Sequence, residues 1–212
     1  MTEPKEHRRG PGRPRATTRE AVERVAIELL LREGFDRVSV DEIAAAAGIG
    51  RTTFFRYFPA KADVVWAAFD EAIRQLEVEL AADPARPVAA AIRDAVVAST
   101  RHAVDDHGVW LERFALLDTA PGLRASALEH WATWQSAVAA FVAARTGTAP
   151  TAVVPAAIAG AIQATYVAEL RSWDVGDAPE ELLARLATSL TAVGTALEAL
   201  LPASSRASRT AR

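Results

Sequence analysis

One stretch, Ser39 to Lys61, reads SVDEIAAAAGIGRTTFFRYFPAK and constrains this chain more than any other. Ser39-Val40-Asp41-Glu42 has the pattern of a capping box, in which serine and a glutamate three residues on satisfy the free N–H groups of a helix start. It opens a short helix whose Val40, Ile43, Ala44 and Ala47 can face inward. Gly48 permits a tight turn, Ile49 plugs the core beneath it, Gly50 caps a second short helix and Pro59 ends that helix. Two short helices joined by a glycine-marked turn have the form of a helix-turn-helix, whose second helix lies in a DNA major groove.

The second helix, RTTFFRYF, divides into two faces. Phe54 and Phe58 are four residues apart and share the face assigned to the core. Arg51, Thr52 and Phe55 then lie outward near the helix start. Arg51 can pair bidentately with guanine, and Thr52 can meet a base edge or a thymine methyl. The Phe55 ring can pack on a thymine methyl or the sugar backbone. Thr53, Arg56, Tyr57 and Lys61 read as phosphate contacts, which position a protein without reading sequence. Ser39, at a helix N-terminus, is a further phosphate candidate. Ordinary surface residues of a small helical bundle are the competing reading for each position taken singly.

The rest of the chain is organised around this module. Residues 1–16 are polar and broken by glycine and proline, which reads as a disordered basic arm. Within it Arg13 and Arg15 flank Pro14 in a pattern similar to a minor-groove hook, with a merely solubilising tail as the alternative. Residues 17–61 form the DNA-binding unit, 62–201 a larger helical body and 202–212 a disordered Ser/Arg-rich tail. The first helix should start with a capping box at Thr17-Thr18-Arg19-Glu20 and stop at Gly34 in a Schellman-type end. Residues 1–61 carry twelve Lys and Arg against nine Asp and Glu, a balance of +3; the remainder, twelve against eighteen, stands at −6 and the chain at −3. A basic front on an acidic body suits a protein that meets phosphate at one end.

Thr17 to about Val65 closely resembles the DNA-binding module of the TetR family of transcriptional regulators, through REGF, SVDEIAAAAGI and RTTFFRYFPAK in register. The resemblance implies a buried Phe54, backbone contacts by Tyr57 and Lys61, and groove contacts by Arg51, Thr52 and Phe55. Gly50 and Ala60 stand where the family often has a serine. More narrowly, FFRYF…K…VVW…FD and WATWQSAVAAFVAARTG resemble regulators found beside mycofactocin genes in actinobacteria, a group that responds to acyl-coenzyme A. What this implies is a homodimer on a near-palindromic operator in double-stranded DNA, released by a small-molecule effector. The last two long helices would form the dimer interface, with simple internal core as their alternative role.

From about Ala62 onward every signal is helical, with starts at Pro87, Pro121 and the Asp177-Ala178-Pro179-Glu180 cap. The expected fold class is all-α. Four of the five tryptophans, Trp110, Trp131, Trp134 and Trp173, lie well beyond the DNA-binding unit, along with Phe114, Phe141 and Tyr166. Aromatics between helices often line a ligand site, so Trp110, Phe114, Trp131, Trp134 and Tyr166 are candidate walls, with His130, Gln135, Gln163 and Arg113 as polar groups. Plain core is the competing assignment for each. His102, Asp105, Asp106 and His107 form one carboxylate–imidazole cluster, read as the polar end of a helix and not as a metal site. No cofactor is expected, and no GxSxG, P-loop or GxGxxG motif gives catalysis a seat. No uninterrupted run of eighteen apolar residues occurs and the N-terminus is charged, so no membrane partner and a cytoplasmic location are expected. The rival from another class is a constitutive DNA-binding or partner-recruiting protein without a ligand, betrayed by a filled core where an effector cavity should be.

Overall fold

The computed structural model describes residues 18–106, 110–173 and 178–201. Among them lie α-helices and no strand: α1 (Arg19–Glu33), α2 (Val40–Ala46), α3 (Arg51–Tyr57), α4 (Asp63–Ala81), α5 (Val88–Asp106), α6 (Glu112–Thr119), α7 (Pro121–Thr146), α8 (Val153–Arg171) and α9 (Pro179–Leu197). A 3-10 turn, Glu198–Leu200, follows α9. The fold class read from the sequence is the one observed.

Local chemistry accounts for the small module. Thr18 caps α1, its hydroxyl accepting from the Ala21 N–H at 3.2 Å, one residue later than the expected box, whose Thr17 lies outside the described residues. Gly34 ends α1 at φ 93° and ψ 135°. That conformation is outside the left-handed well, so the chain leaves extended where a Schellman turn was expected. The Ser39–Glu42 capping box forms in full. Gly48 turns the chain at φ 67°, and the Ile49 N–H reaches back to the Ala44 carbonyl at 2.9 Å. Phe54 and Phe58 have no exposed surface and pack at a tilt with centroids 5.5 Å apart, fixing α3 on a core shared with Ile27, Leu30 and Ile43.

Longer helices build the body. α4 leaves the module and packs on α5 and α7, while α8 lies between α7 and α9. Pro121 and Pro179 sit at the first turns of α7 and α9, where a missing N–H costs nothing. Asp177 and Val109, expected near helix starts, lie outside the described residues. Gly160 and Gly194 allow close approach: a Cβ would meet Gln135 Nε2 at 3.2 Å in the first and the Ala89 Cβ at 3.1 Å in the second. Some of the small residues read as interface therefore serve the α7–α8 and α5–α9 contacts inside one chain. By length and composition alone α8 is apolar enough to cross a membrane, with mean hydropathy 1.4. Its Ile158, Ala159, Ile162, Tyr166 and Leu170 are buried in this core.

Candidate functional site

With Phe54 and Phe58 locked beneath it, α3 presents Arg51, Thr52, Phe55 and Arg56 to solvent, and Thr53 and Tyr57 half-buried. Phe55 keeps 38 % of its surface exposed, an apolar ring with no core role beyond its edge contact with Phe54. Arg51 stacks over that ring, 5.1 Å from its centroid, and its Nη1 donates to Asp41 Oδ1 at 2.7 Å. Arg56 lies 5.2 Å over Tyr57. This face thus offers one guanidinium and one ring at the helix start, with cations behind them.

Two of the expected phosphate contacts have structural work as well. The Ser39 hydroxyl donates to Glu42 Oε2 at 2.7 Å and accepts from the Glu42 N–H at 3.2 Å. The Ser39 backbone N–H, then its hydroxyl, hold the Glu42 carboxyl below its ordinary value. Lys61 Nζ donates to the carbonyls of Phe35 and Val38 at 2.7 and 2.8 Å and lies 4.2 Å over the Phe35 ring. Partial burial pushes its pKa down, against the attraction of Asp36. It is a clamp on the α1–α2 connection. Arg13 and Arg15 lie outside the described residues.

In the body, the aromatics form one continuous cluster across four helices. Trp66 and Phe69 of α4 meet His130 and Trp131 of α7, with centroids 4.4 Å apart for Trp66–His130 and 4.7 Å for Phe69–Trp131. Trp110 stacks on Phe69, and Trp134 stacks on Tyr166 at 5.2 Å. Trp110, Trp134 and Tyr166 are all buried. The Tyr166 and Thr100 hydroxyls meet at 3.0 Å, and burial, partly offset by that bond, pushes the Tyr166 pKa up to about 12.

A cavity of about 500 Å³ opens at the edge of this cluster, between α6, α7 and α8. Phe114 and Trp131 line it, joined by Leu117, Leu128, Val167 and Leu170, and two exposed arginines, Arg124 and Arg171, stand on its lining. Of the residues proposed from sequence, only Phe114 and Trp131 reach the cavity. Trp110, Trp134 and Tyr166 are core; His130 pairs with Asp70 at 2.6 Å; Gln163 Nε2 donates to the Trp131 carbonyl at 2.7 Å and so holds the wall without lining it. Arg124, Leu128 and Arg171 were missed, because a leucine or an arginine on a helix carries no mark of the cavity beside it. Among the described residues no group of three or more His, Asp or Glu side chains is placed to hold a metal, and His107 lies outside them.

Two joints tie this body to the module, and a third bond fixes α4, the helix that leaves the module, on α7. Arg113 of α6, next to Phe114 of the cavity wall, forms an ion pair with Glu23 of α1, both side chains buried. Burial, with Arg19 nearby, pushes the Arg113 pKa down to about 9, which leaves it charged at neutral pH. Its Nε and Nη1 find no hydrogen-bond partner among the described residues. The Gly122 N–H at the start of α7 faces Asp36 Oδ2 at 3.4 Å. Trp66 Nε1 of α4 donates to Ser126 Oγ of α7 at 2.9 Å.

Comparison with known proteins finds two family models along the chain. Residues 24–68 match the model for bacterial regulatory proteins of the tetR family, and residues 86–198 match the MftR C-terminal domain. A Mycobacterium tuberculosis protein named as a mycofactocin biosynthesis transcriptional regulator, MftR, is 32% identical over 195 residues, covering 92% of this chain and 98% of that one. Two solved structures share the fold. SmeT, the repressor of the Stenotrophomonas maltophilia multidrug efflux pump SmeDEF, aligns with TM-score 0.60 at 16% identity over 92% of this chain and 96% of that one. Thermus thermophilus FadR, a transcriptional repressor in complex with lauroyl-CoA, aligns with TM-score 0.54 at 21% identity over 85% and 93%.

Proposed function

The chain belongs to the TetR family of bacterial regulatory proteins, and from that premise we propose that it is a homodimeric repressor released from its operator by an amphipathic, acyl-CoA-like effector. The observation that carries this reading is the cavity of about 500 Å³ whose wall helix α6 is anchored to α1 through Arg113 and Glu23. Its volume lies within the range of about 300–1,000 Å³ usual for small-ligand sites. Its wall is aromatic and aliphatic, which suits an acyl chain. Arg124 and Arg171 give that lining positive charge for an anionic head group. The constitutive reading expects a filled core, and the space beside Phe114 and Trp131 favours the ligand-responsive one.

On DNA, Arg51, Thr52 and Phe55 read base edges, while Thr53, Arg56, Tyr57 and the remaining donor of Lys61 meet phosphates. Arg13 and Arg15 add minor-groove contacts from the arm. Ser39 acts first as a cap and contributes to phosphate binding only from that position. The dimer forms through α8 and α9, whose outward faces hold Ala156, Ala157 and Ala164 on one helix and Thr188, Thr191 and Thr195 on the other. Each of these threonine hydroxyls bonds the carbonyl four residues back in its own helix, at 2.7 to 2.9 Å, which occupies its donor within the helix. A polar-looking face is thereby made less polar, and the twofold axis sets the recognition helices about 34–36 Å apart. DNA binding places the protein in the cytoplasm.

Release follows as a population shift. A ligand that wedges between α6 and α7 favours positions of α6 in which Arg113 and Glu23 no longer hold α1, and by linkage DNA binding opposes ligand binding. Titration of the operator complex with acyl-CoAs of several chain lengths tests the proposal. Affinity for DNA should fall for chains that fill the cavity; no change with any of them would leave the constitutive reading in its place.

A further inference from the structure

The carboxylate of Asp41 stands on the surface that the preceding reading turns toward DNA, where a negative charge is repelled by every phosphate. It lies in the first turn of α2, is largely exposed, and its Oδ1 accepts from Arg51 Nη1 at 2.7 Å. Arg51 is at the same time stacked over Phe55, 5.1 Å from the ring centroid. Two supports from two helices therefore fix a guanidinium that would otherwise sample many rotamers and lose that freedom on docking. Asp41 engages only Nη1, so the Nε–Nη2 edge is left whole, with two parallel donors for a pair of acceptors such as guanine O6 and N7.

We propose that Asp41 is a specificity-setting residue: it aims Arg51 at one base and withholds it from phosphates. The inference rests on the reading of Arg51 as the base-contacting residue. Its signature is a pair of effects with opposite signs. Without the carboxylate, Arg51 is free to swing onto the backbone, and one anion leaves the interface, so binding to any sequence tightens. The base that Arg51 reads is then discriminated less well, because the side chain is no longer held for it and its alternative contacts improve.

The test starts from a randomised duplex pool, from which the full-length wild-type protein selects its preferred site. Binding of Asp41→Asn, Asp41→Glu and Arg51→Ala is then measured to the selected duplex, to its single-base substitutes and to a random-sequence duplex. Thermal denaturation of each variant confirms that the fold is retained. Asp41→Asn should bind the random duplex about two- to tenfold more tightly, because Arg51 then reaches a phosphate and the repulsion from the carboxylate is removed. Its discrimination at the one position lost in Arg51→Ala should fall about tenfold, within the usual worth of one bidentate contact. Asp41→Glu should retain part of the discrimination. If Asp41→Asn tightens binding to all duplexes equally and leaves discrimination at that position intact, Asp41 is only a surface charge and the proposal is overturned. If Arg51→Ala itself leaves every base preference unchanged, the reading of Arg51 fails and takes this inference with it, so the two failures are distinguishable.

Discussion

The DNA-reading module and the body of this protein use aromatic residues in opposite ways. Around α3, Phe54 and Phe58, the latter one residue past the helix end, are wholly buried while Phe55 projects, a separation produced within five consecutive residues. In the body, Trp66, Phe69, Trp110, Phe114, Trp131, Trp134 and Tyr166 come from α4, α6, α7, α8 and the turn before α6, and the same cluster supplies both core and cavity wall. The outward face of α3 is thus made by local periodicity, whereas the cavity lies where a packed cluster ends. The first is insensitive to small movements of distant helices, and the second changes with them.

The sharpest break in this comparison is Phe54→Ala. Removing a wholly buried ring costs about 3–5 kcal/mol. It should abolish DNA binding, while circular dichroism and sedimentation still report a helical dimeric body that takes up ligand; loss of the dimer as well would show that the two regions are not separable. Arg113→Ala has an effect of the same order for a different reason. Glu23 would remain buried without its partner, and breaking one side of a buried pair costs about 3–5 kcal/mol. Chemical denaturation should show Glu23→Gln combined with Arg113→Met to be more stable than Arg113→Ala alone. In that double variant, acyl-CoA should still bind by calorimetry yet loosen DNA far less, and an unchanged release would remove the pair from the coupling.

Trp131→Leu comes next. It should change ligand affinity about tenfold, a difference of about 1.4 kcal/mol, with ligand-free operator binding nearly unaltered in the same titration. Global unfolding in its place would assign Trp131 to the core. The smallest effect is local to the module. Ser39→Ala removes the cap hydroxyl, about 1 kcal/mol, and with it the lesser of the two bonds that lower the Glu42 pKa, while the backbone N–H of residue 39 keeps the other. Because that pKa is depressed in the folded state, the cap's contribution is present above the unfolded carboxylate value and is lost as the pH falls through the folded one. A carboxyl titration by NMR should show Glu42 moving up in Ser39→Ala.

Most of the module was legible in the residues themselves. The Ser39–Glu42 box, the Gly48 turn and the Phe54/Phe58 seam each depend on neighbours within a few positions, and the chain's local geometry leaves them little choice. Even there, the start of α1 shifted by one residue and Lys61 acquired two carbonyls more than twenty residues away, since neither is set by spacing alone. In the body, helix positions followed from proline, glycine and apolar periodicity, but the site did not. Trp131 and Trp134 sit three residues apart on one helix, and only the packing of α8 buries Trp134 against Tyr166 while Trp131 is left at the cavity edge. The sequence by itself determined where helices begin and which faces are apolar, because those depend on short-range sterics and hydrogen bonding. Tertiary structure alone decided which apolar residues meet each other and which meet a space, and it alone joined Glu23 to Arg113, because a contact between residues ninety positions apart has no local cause.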